Sequence, residues 1–475
     1  MSFTVPLLIN GEEKVSASTF PLISPLSHKT LWSSSCASSS DADAAVASAS
    51  AAFPTWAKTK PAVRRTILLK AADLFEERAA ELMDVLIQET GALEQFATFN
   101  IKVITETIRD VAGRCSAITG SIPICQAEGT SALVLREPYG VVLGIAPWNA
   151  PHALGTRAFL FPIAAGNTCV LKGSEFSPRS FHQIGRIFAD AGLPPGVLNI
   201  LYTTREESPA ITAQLINAPA IKKVNFTGKS LPPPPDARSS RACELGGKAP
   251  AIVLNDADVE LAAMQCTLGA FIHAGQICMS TERIIVHRDV IDAFRPALLR
   301  AVAGFAAADG PAAVLVQGPA VVRNRALVAD ALSKGATLLH GDHTAEEKHP
   351  ETGKPSATRM RPLVVEGVTP EMSLYHEESF GPSVSVIVAS SDEEAIAVAN
   401  DTDYGLNGAV FTRDLARGLR VAKRLDCGNV HINQMTVHDE AVLPHGGMKG
   451  SGWGRFNEQW GFDEFLQYKT ITFQE

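Results

Sequence analysis

Three polar residues stand in short motifs whose composition suits chemistry on a carbonyl group. Cys278 lies in GQICMSTER, and a thiolate there would attack a carbonyl carbon to give a thioester that water can cleave. Glu244 lies in ELGGK, where Gly246 and Gly247 are expected to leave a basic carboxylate room to move. Asn149 lies between prolines in PWNAP, which would aim its amide at an oxyanion. Each residue alone has an ordinary reading, as a core thiol, a surface carboxylate or a turn asparagine.

Two features next to these residues extend the pattern. Gly275 precedes Cys278, and we expect it to let the backbone pass close to a substrate, with a new strand beginning at residues 280–282. Lys172 and Glu175 lie in LKGSE, directly after an apolar stretch. A carboxylate at the carboxyl end of a parallel strand can accept hydrogen bonds from ribose hydroxyls, so these two residues are candidates for a nucleotide site. The alternative is a pair of ordinary loop charges.

The elements that must position these residues follow a βα alternation. The stretches VVLGIAPW, NTCVLKG, VLNILY and KKVNFTG are predicted strands, with SPRSFHQIGRIFADAG as a crossover helix. A second βα series runs from APAIVLN to about Val437. The sequence therefore predicts an α/β fold with two parallel-sheet layers joined after Gly247.

The remaining elements are peripheral. PLLINGEEK predicts a small hairpin at the edge of the larger body. Apolar residues at helical spacing predict one long helix from Pro61 to Thr90, ended by Gly91. The final FLQYKTITF predicts an edge strand, and edge strands commonly pair with another subunit.

Composition excludes several function classes. The 475 residues are 46% hydrophobic, enough to bury large cores, and carry a net charge of −8 with no basic block, which argues against nucleic acid as a partner. No stretch is apolar enough for a membrane helix, and we expect no secretory signal at the N-terminus. The eight cysteines are scattered without zinc spacing, so we expect no metal site and a cytoplasmic location.

Together these residues resemble the aldehyde dehydrogenase superfamily over nearly the whole chain. The resemblance rests on ordered motifs: GIAPWNAP, GNTCVLKGSE, PPGVLNIL, VNFTG, ELGGKAP, GQICMSTER, EESFGP, YGLNGAVFT and HGGMKGSGWGRF. Within that family, PWNAP, LPHGGMKGSGWGRF and a VHDE segment are similar to the salicylaldehyde, benzaldehyde and vanillin dehydrogenases.

The resemblance implies a domain plan. Two Rossmann-like parallel-sheet domains are expected with a small β oligomerisation arm. Residues 1–119 and 140–245 would form an NAD-binding domain and residues 246–445 the catalytic domain. Residues 120–139 and 460–475 would form the oligomerisation segment of a homodimer or homotetramer.

The resemblance also implies a role for each site residue. Cys278 would be the nucleophile, Glu244 the base that activates water for thioester hydrolysis, and Asn149 the oxyanion donor together with the Cys278 backbone N–H. A further group would hold the cofactor: Trp148 in the cleft, Lys172 and Glu175 at the adenosine ribose, Gly228 closing VNFTG, and Glu378 with Phe380 at the nicotinamide.

The implied reaction is oxidation of an aldehyde to a carboxylic acid, and the subfamily motifs favour an aromatic aldehyde. NAD is favoured over NADP because a carboxylate at Glu175 would repel the extra phosphate. Arg157 would either face an aromatic or hydroxylated substrate or lie on a helix surface, and the sequence favours neither.

One segment departs from the family pattern. After VNFTG the chain reads KSLPPPPDARSSRAC, and four successive prolines, residues 232–235, remove backbone donors and cannot form the interior of a helix. This argues against the anion site that free N–H groups and a helix dipole would provide for a pyrophosphate. Residues 229–243 could reflect an error in gene prediction, a degraded enzyme, or a variant that holds the cofactor mainly through Lys172, Glu175 and Glu378, with the charge of Lys229 offsetting the lost dipole. The last two predict weaker cofactor binding. Two alternative functions follow, a pseudoenzyme and an NAD-independent thiol esterase.

Overall fold

The computed structural model describes residues 3–229, 240–306 and 310–474. The helices in these ranges are α1 Ser39–Trp56, α2 Pro61–Glu77, α3 Ala79–Thr90, α4 Glu94–Arg114, α5 Pro151–Ala164, α6 Pro178–Asp190, α7 Ser208–Asn217, α8 Val259–Phe271, α9 Ile291–Phe305, α10 Gly318–Ser333, α11 Ser373–His376, α12 Asp392–Asn400, α13 Leu415–Ala422 and α14 Glu458–Asp463. The strands are β1 Thr4–Val5, β2 Leu7–Ile9, β3 Glu12–Lys14, β4 Thr19–Ile23, β5 Thr30–Ser35, β6 Thr130–Pro138, β7 Val141–Ile145, β8 Thr168–Lys172, β9 Leu198–Leu201, β10 Ile221–Thr227, β11 Ser240–Glu244, β12 Ala249–Val253, β13 Thr281–His287, β14 Ala313–Val314, β15 Thr337–His340, β16 Arg359–Met360, β17 Leu363–Glu366, β18 Ser383–Ala389, β19 Asn407–Phe411, β20 Asn429–Ile432, β21 Gly452–Trp453 and β22 Leu466–Gln474.

The first large sheet has the strand order β21-β11-β10-β7-β8-β9-β2-β3. Its central strands β11, β10, β7, β8 and β9 are parallel. At the edges, β21 pairs antiparallel with β11, β2 with β9, and β3 with β2. The predicted strands VVLGIAPW, NTCVLKG, VLNILY and KKVNFTG are confirmed as β7 to β10. Their continuous apolar character follows from burial of both faces of the sheet by helices.

The second large sheet has the order β15-β17-β18-β13-β12-β19-β20 and is parallel except for β15. Its core lies between this sheet and helices such as α8 and α9. The two parallel sheets confirm the predicted α/β class. Of the predicted edge elements, PLLINGEEK forms the β2–β3 hairpin at the edge of the first sheet, and FLQYKTITF forms β22, which pairs with β6 along its full length.

A topological switch point lies in the first sheet. From β7 the chain proceeds to β8 and β9 on one side, and later to β10 and β11 on the other. Helices α5 and α6, which follow β7 and β8, therefore pack together on one face of the sheet, whereas α7, which leads back to β10, lies on the other face. This reversal leaves a crevice at the carboxyl ends of β7 and β10. Helix α5, which follows β7, is buried along its whole length, so polar residues on it need buried partners.

The C-terminal region completes the first sheet. Strand β21 pairs antiparallel with β11, the strand that ends at Glu244. The Leu245 N–H donates to the Ser451 carbonyl at 2.8 Å, and the Ser451 hydroxyl donates to the Gly246 carbonyl at 2.7 Å. The last part of the chain thus fixes the ELGGK turn.

The prediction of one long helix over Pro61 to Thr90 is wrong. Helices α2 and α3 are separated at Arg78, whose backbone (φ −100°, ψ 10°) leaves the helical region. The sequence has no glycine or proline there. The Arg78 guanidinium instead pairs with Asp190 at the end of α6 at 2.8 Å, and each helix packs its own apolar face, so tertiary contacts set the break.

No helix in the described ranges is long and apolar enough to cross a bilayer.

Candidate active site

A cavity of about 380 Å³ opens at the switch point. The first sheet lines it with the residues that follow β7 and β10, and the second with the loops that precede β13 and β18. These residues include Trp148, Asn149, Gly228, Glu244, Cys278, Glu378 and Phe380. The structure therefore brings together, around one space, seven of the ten residues singled out from the sequence.

The Cys278 thiol donates a hydrogen bond to Glu244 Oε1 at 2.9 Å. Cys278 is partly buried, and loss of hydration raises its pKa well above the usual value, with the Glu244 charge adding to the effect. Burial also acts to raise the pKa of Glu244, but His445, Arg157 and the thiol outweigh it and hold the pKa below its usual value. In this arrangement the pair is a protonated thiol facing a carboxylate, which is a nucleophile beside its own proton acceptor.

The backbone before the nucleophile is held in an unusual conformation. His273, Ala274 and Gly275 all have positive φ angles of 51°, 56° and 70°. We expected Gly275 to lie close to a substrate, but its close approach is to the EESFGP loop. A Cβ at Gly275 would lie 2.2 Å from the Gly381 carbonyl oxygen. The glycine requirement is thus structural, because the two loops that frame the site pack directly against each other.

Asn149 stands in the wall between this cavity and a smaller one of about 50 Å³. Its Nδ2 donates to the Gln276 carbonyl at 3.0 Å, which leaves one amide N–H for another acceptor. Only four residues line both cavities in the described part of the chain: Asn149, Leu154, Glu244 and Cys278. The thiol is therefore reachable from two sides.

The smaller cavity has an apolar wall and a polar wall. The apolar side includes Phe96, Phe99, Val103, Ile277, Met279 and Val437. The polar side is a group of four charged or ionisable residues, named here the charge cluster: Arg157, Glu244 and His445, which are buried, and Asp439, whose side chain is 9% exposed.

Arg157 is buried on α5, so the interpretation as a helix-surface arginine is wrong. Its guanidinium pairs with Asp439 and lies 4.0 Å from Glu244 Oε2. Asp439 also accepts a hydrogen bond from Asn457 Nδ2 at 2.8 Å. Burial acts against the charge of Asp439, but Arg157 and His445 outweigh it and lower its pKa to about 2.

The cavity wall formed by EESFGP depends on a second buried ion pair. Lys248 Nζ lies 2.7 Å from Glu282 Oε2, with both side chains buried. The other oxygen of Glu282 accepts from the backbone N–H groups of Ser379 (2.8 Å) and Phe380 (3.2 Å) and from the Ser379 hydroxyl (2.8 Å). Glu282 thus fixes the loop that presents Glu378 and Phe380 to the cavity.

Glu378 occupies the space next to the ELGGK turn. Its Oε1 accepts from the Gly247 N–H at 3.0 Å, and a Cβ at Gly246 would lie 2.6 Å from the same oxygen. Gly246 therefore makes room for Glu378, whereas a Cβ at Gly247 would lie 2.6 Å from the Cys278 carbonyl oxygen. The room for movement of Glu244 stays a prediction. Burial raises the pKa of Glu378 to about 7. Phe380 packs edge-on against Trp148, with ring centroids 6.0 Å apart.

Lys172 and Glu175 lie apart from the thiol. Lys172 ends β8 and is buried, and burial lowers its pKa although Glu175 opposes this effect. Glu175 lines an adjoining cavity of about 460 Å³. This adjoining cavity shares Arg205, Val316 and Gln317 with the cavity around Cys278, so the two form one extended cleft.

The model of the aldehyde dehydrogenase family matches residues 12–471. The chain belongs to this family. It is 43% identical to a vanillin dehydrogenase of Pseudomonas sp. strain HR199, covering 99% of this chain and 98% of that protein. The resemblance inferred from the sequence motifs is thereby confirmed.

Two solved structures of the family are similar over almost the whole chain. One is a salicylaldehyde dehydrogenase from Pseudomonas putida G7 complexed with salicylaldehyde, with 35% identity, coverage of 99% and 98%, and a TM-score of 0.92. The other is a betaine aldehyde dehydrogenase from Staphylococcus aureus in complex with NAD⁺, with 28% identity, coverage of 98% and 94%, and a TM-score of 0.91.

Sequence reasoning missed three residues that this aldehyde dehydrogenase places at its site. Asp439 and His445 lie in VHDE and LPHGG, which served only as subfamily motifs, and Glu282 lies in GQICMSTER as the start of a strand. The available signal was an ionisable residue within a family motif for which no partner had been found, since a buried charge needs a partner. The partners are far away in sequence.

Most of residues 229–243, the segment that departs from the family pattern, lies outside the residues that the structure describes. Residues 230–239, which include the four prolines, lie outside the described ranges. Weaker cofactor binding caused by this segment stays a prediction, which a titration of NAD against a chain with a family-typical graft would test.

Proposed function

We propose that this protein oxidises aromatic aldehydes to carboxylic acids, with NAD as electron acceptor. The observation that carries the proposal is the hydrogen bond from the Cys278 thiol to Glu244, in the wall shared by two cavities. One cavity offers a place for a cofactor and the other for a substrate ring. The nucleophile stands between them.

The first half of the reaction is addition to the aldehyde. As Cys278 Sγ bonds to the carbonyl carbon, the thiol proton passes to Glu244 Oε1, its hydrogen-bond partner. The adduct carries its negative charge on the former carbonyl oxygen. Asn149 stands beside the thiol and donates to that oxygen, together with the Cys278 backbone N–H.

The second half is hydrolysis. The chemistry that NAD supplies when bound is acceptance of a hydride from the substrate carbon, which leaves that carbon as a thioester. Glu244 first releases the thiol proton to solvent, and its carboxylate then takes a proton from a water molecule that attacks the thioester and passes this proton to the departing Cys278 thiolate. The carboxylic acid leaves and Cys278 regains its proton.

The extended cleft fits a dinucleotide. Two adjoining cavities share Arg205, which supplies a positive charge between them. Glu175 and Lys172 would hold the adenosine ribose at one end, whereas Trp148, Gly228, Glu378 and Phe380 would hold the nicotinamide end beside Cys278. The Glu175 carboxylate favours NAD over NADP because it would repel a ribose phosphate.

The aromatic substrate class is supported by the smaller cavity. Phe96 and Phe99 on α4 provide aromatic faces for a ring, and Arg157 with Asp439 provides polar groups for a ring substituent. The similarity to vanillin and salicylaldehyde dehydrogenases points the same way.

The domain plan and assembly are further proposals. We assign residues 1–119 and 140–245 to cofactor binding, 246–445 to catalysis, and 120–139 with 460–475 to oligomerisation. The paired strands β6 and β22 expose apolar side chains, including Tyr468, Ile471 and Phe473, that a second subunit would cover in a homodimer or homotetramer. A cytoplasmic location suits the thiol, which must stay reduced to act.

The test is a comparison of NADH formation from benzaldehyde, vanillin, salicylaldehyde and hexanal. We expect the aromatic aldehydes to give the higher kcat/KM, and Cys278→Ala to lower it by roughly 10³-fold or more. Cys125→Ala, at another partly buried thiol, is the matched control and should change little. Equal rates for the parent and Cys278→Ala would refute the nucleophile, and ester hydrolysis without any NADH formation would identify a thiol esterase instead.

A further inference from the structure

The charge cluster is balanced only when His445 is protonated. Arg157 contributes one positive charge, and Glu244 and Asp439 contribute two negative charges, with Arg157 and Glu244 buried and the Asp439 side chain 9% exposed. A neutral His445 would leave one uncompensated negative charge there, which is strongly unfavourable. An imidazolium makes the cluster neutral. The pKa of His445 agrees in direction, since burial lowers it but Asp439 and Glu244 outweigh that effect and raise it.

The geometry assigns that charge to Glu244. His445 Nε2 lies 3.3 Å from Glu244 Oε2, and His445 Nδ1 lies 4.0 Å from Asp439 Oδ1. Glu244 Oε2 has no hydrogen bond in the described chain. The imidazole is its nearest charged neighbour, because the Arg157 guanidinium lies farther away, at 4.0 Å. Arg157 is farther from Glu244 and is already paired with Asp439.

His445 is also held firmly. Its backbone N–H and carbonyl both bond to Phe456, at 3.1 and 2.8 Å. Asp439 is fixed in turn by Asn457 and Arg157. The imidazole therefore stays on the side of Glu244 that faces away from the thiol, while Oε1 faces the thiol.

We propose that His445, backed by Asp439, is a positioning residue that holds Glu244 as an oriented carboxylate during both proton transfers. The inference rests on the proposed function, in which Glu244 is the general base. His445 also lines the smaller cavity, but its Nε2 lies against Glu244 Oε2, so its proposed effect on both proton transfers passes through Glu244.

Other ionisable groups near this pair are Cys278, Glu378 and His431. Cys278 comes from the loop before β13, and its raised pKa keeps it neutral. Glu378, from the loop before β18, adds negative charge on the cofactor side. His431 on β20 faces His445, and burial, followed by the charges of His438 and His445, lowers its pKa to about 4, so it is neutral above that pH.

The pH dependence of turnover tests the proposal. Glu244 must be ionised to act, so kcat rises with pH through its pKa. Loss of the positive charge of His445 raises the pKa of Glu244. The acidic limb of the pH profile of kcat then moves to higher pH. For each unit of displacement, kcat within the limb falls about ten-fold at a given pH. We expect a displacement of about one unit or more in His445→Gln, with KM for the aldehyde changed less than about two-fold.

Two further variants make the result decisive. His445→Phe keeps a ring and removes both nitrogens, so it should displace the limb as His445→Gln does, and it replaces that variant if the glutamine protein does not fold. His182→Gln removes a different histidine, which lies on α6 with its Nε2 2.9 Å from Glu13 Oε1. This variant should leave the acidic limb of the kcat profile in place.

An acidic limb that stays at the parent pH in a folded His445 variant overturns the inference. A fall in kcat that is equal at all pH values also overturns it, because a purely structural defect gives that result. If instead the parent forms no NADH from any aldehyde, the proposed function has failed, and the two failures are thereby distinguished.

Discussion

The ion pair between Lys248 and Glu282 allows a quantitative test of how the site is held together. Glu282→Gln keeps an acceptor for the N–H groups of Ser379 and Phe380 but removes the charge that balances Lys248. Breaking one partner of a buried pair typically costs about 3–5 kcal/mol. We expect a loss of this size in the free energy of unfolding.

An independent estimate gives the same range. Without its partner, Lys248 can lose its proton instead of remaining a buried cation. Bringing a lysine from its ordinary pKa of 10.5 to neutrality at pH 7 costs about 1.36 kcal/mol for each pH unit, or about 5 kcal/mol. The unfolded variant then binds more protons than the folded one, so its stability rises with pH, and the gap to the parent should narrow by about 2–3 kcal/mol between pH 7 and pH 9.

The assay is urea unfolding followed by tryptophan fluorescence at both pH values. Glu260→Gln is the control, because its pair with Arg300 is largely exposed and contributes at most about 1 kcal/mol. Lys248→Met combined with Glu282→Gln removes both charges and should be more stable than Glu282→Gln alone. A single variant within about 1 kcal/mol of the parent, or a double variant less stable than the single one, would refute the reasoning.

Three other predictions concern the loops, the cofactor and the assembly. Gly275→Ala should destabilise the protein by about 2–4 kcal/mol, because its Cβ would meet the Gly381 carbonyl, whereas Gly113→Ala within α4 should stabilise it by about 0.5–1 kcal/mol in the same thermal unfolding experiment. NAD affinity measured by calorimetry should fall up to about ten-fold between pH 8 and pH 6 as Glu378, with a pKa of about 7, gains a proton, and Glu378→Gln should remove that dependence. Ile471→Asp should dissociate the oligomer in size-exclusion chromatography, and an unchanged elution volume would place the interface elsewhere.

Much of the fold could be predicted because its signals are local. Strands β7 to β10 are continuous apolar runs that alternate with helices, which predicts a parallel sheet, whereas the switch point follows only from the strand order in the structure. The motifs around Cys278, Glu244 and Asn149 are each short, and the structure places these three residues around one cavity. Nearness in sequence to a strand end was enough to locate them.

What could not be predicted depends on contacts between distant parts of the chain. The break at Arg78 follows from packing, not from a breaker residue. The glycine at 275 approaches Gly381, which lies in another loop. Likewise the partners of Glu244 come from α5 and from the segment near His445, and no periodicity reports such a meeting.

The pairing of β21 with β11 has a consequence for biosynthesis. The strand that carries Glu244 is made near the middle of translation, yet within the described ranges residues 452–453 are the ones that pair with its outer edge. A nascent or prematurely terminated chain therefore exposes an unpaired sheet edge, and such edges promote aggregation. We expect chains that are truncated before residues 452–453 to be insoluble and to be degraded by proteases.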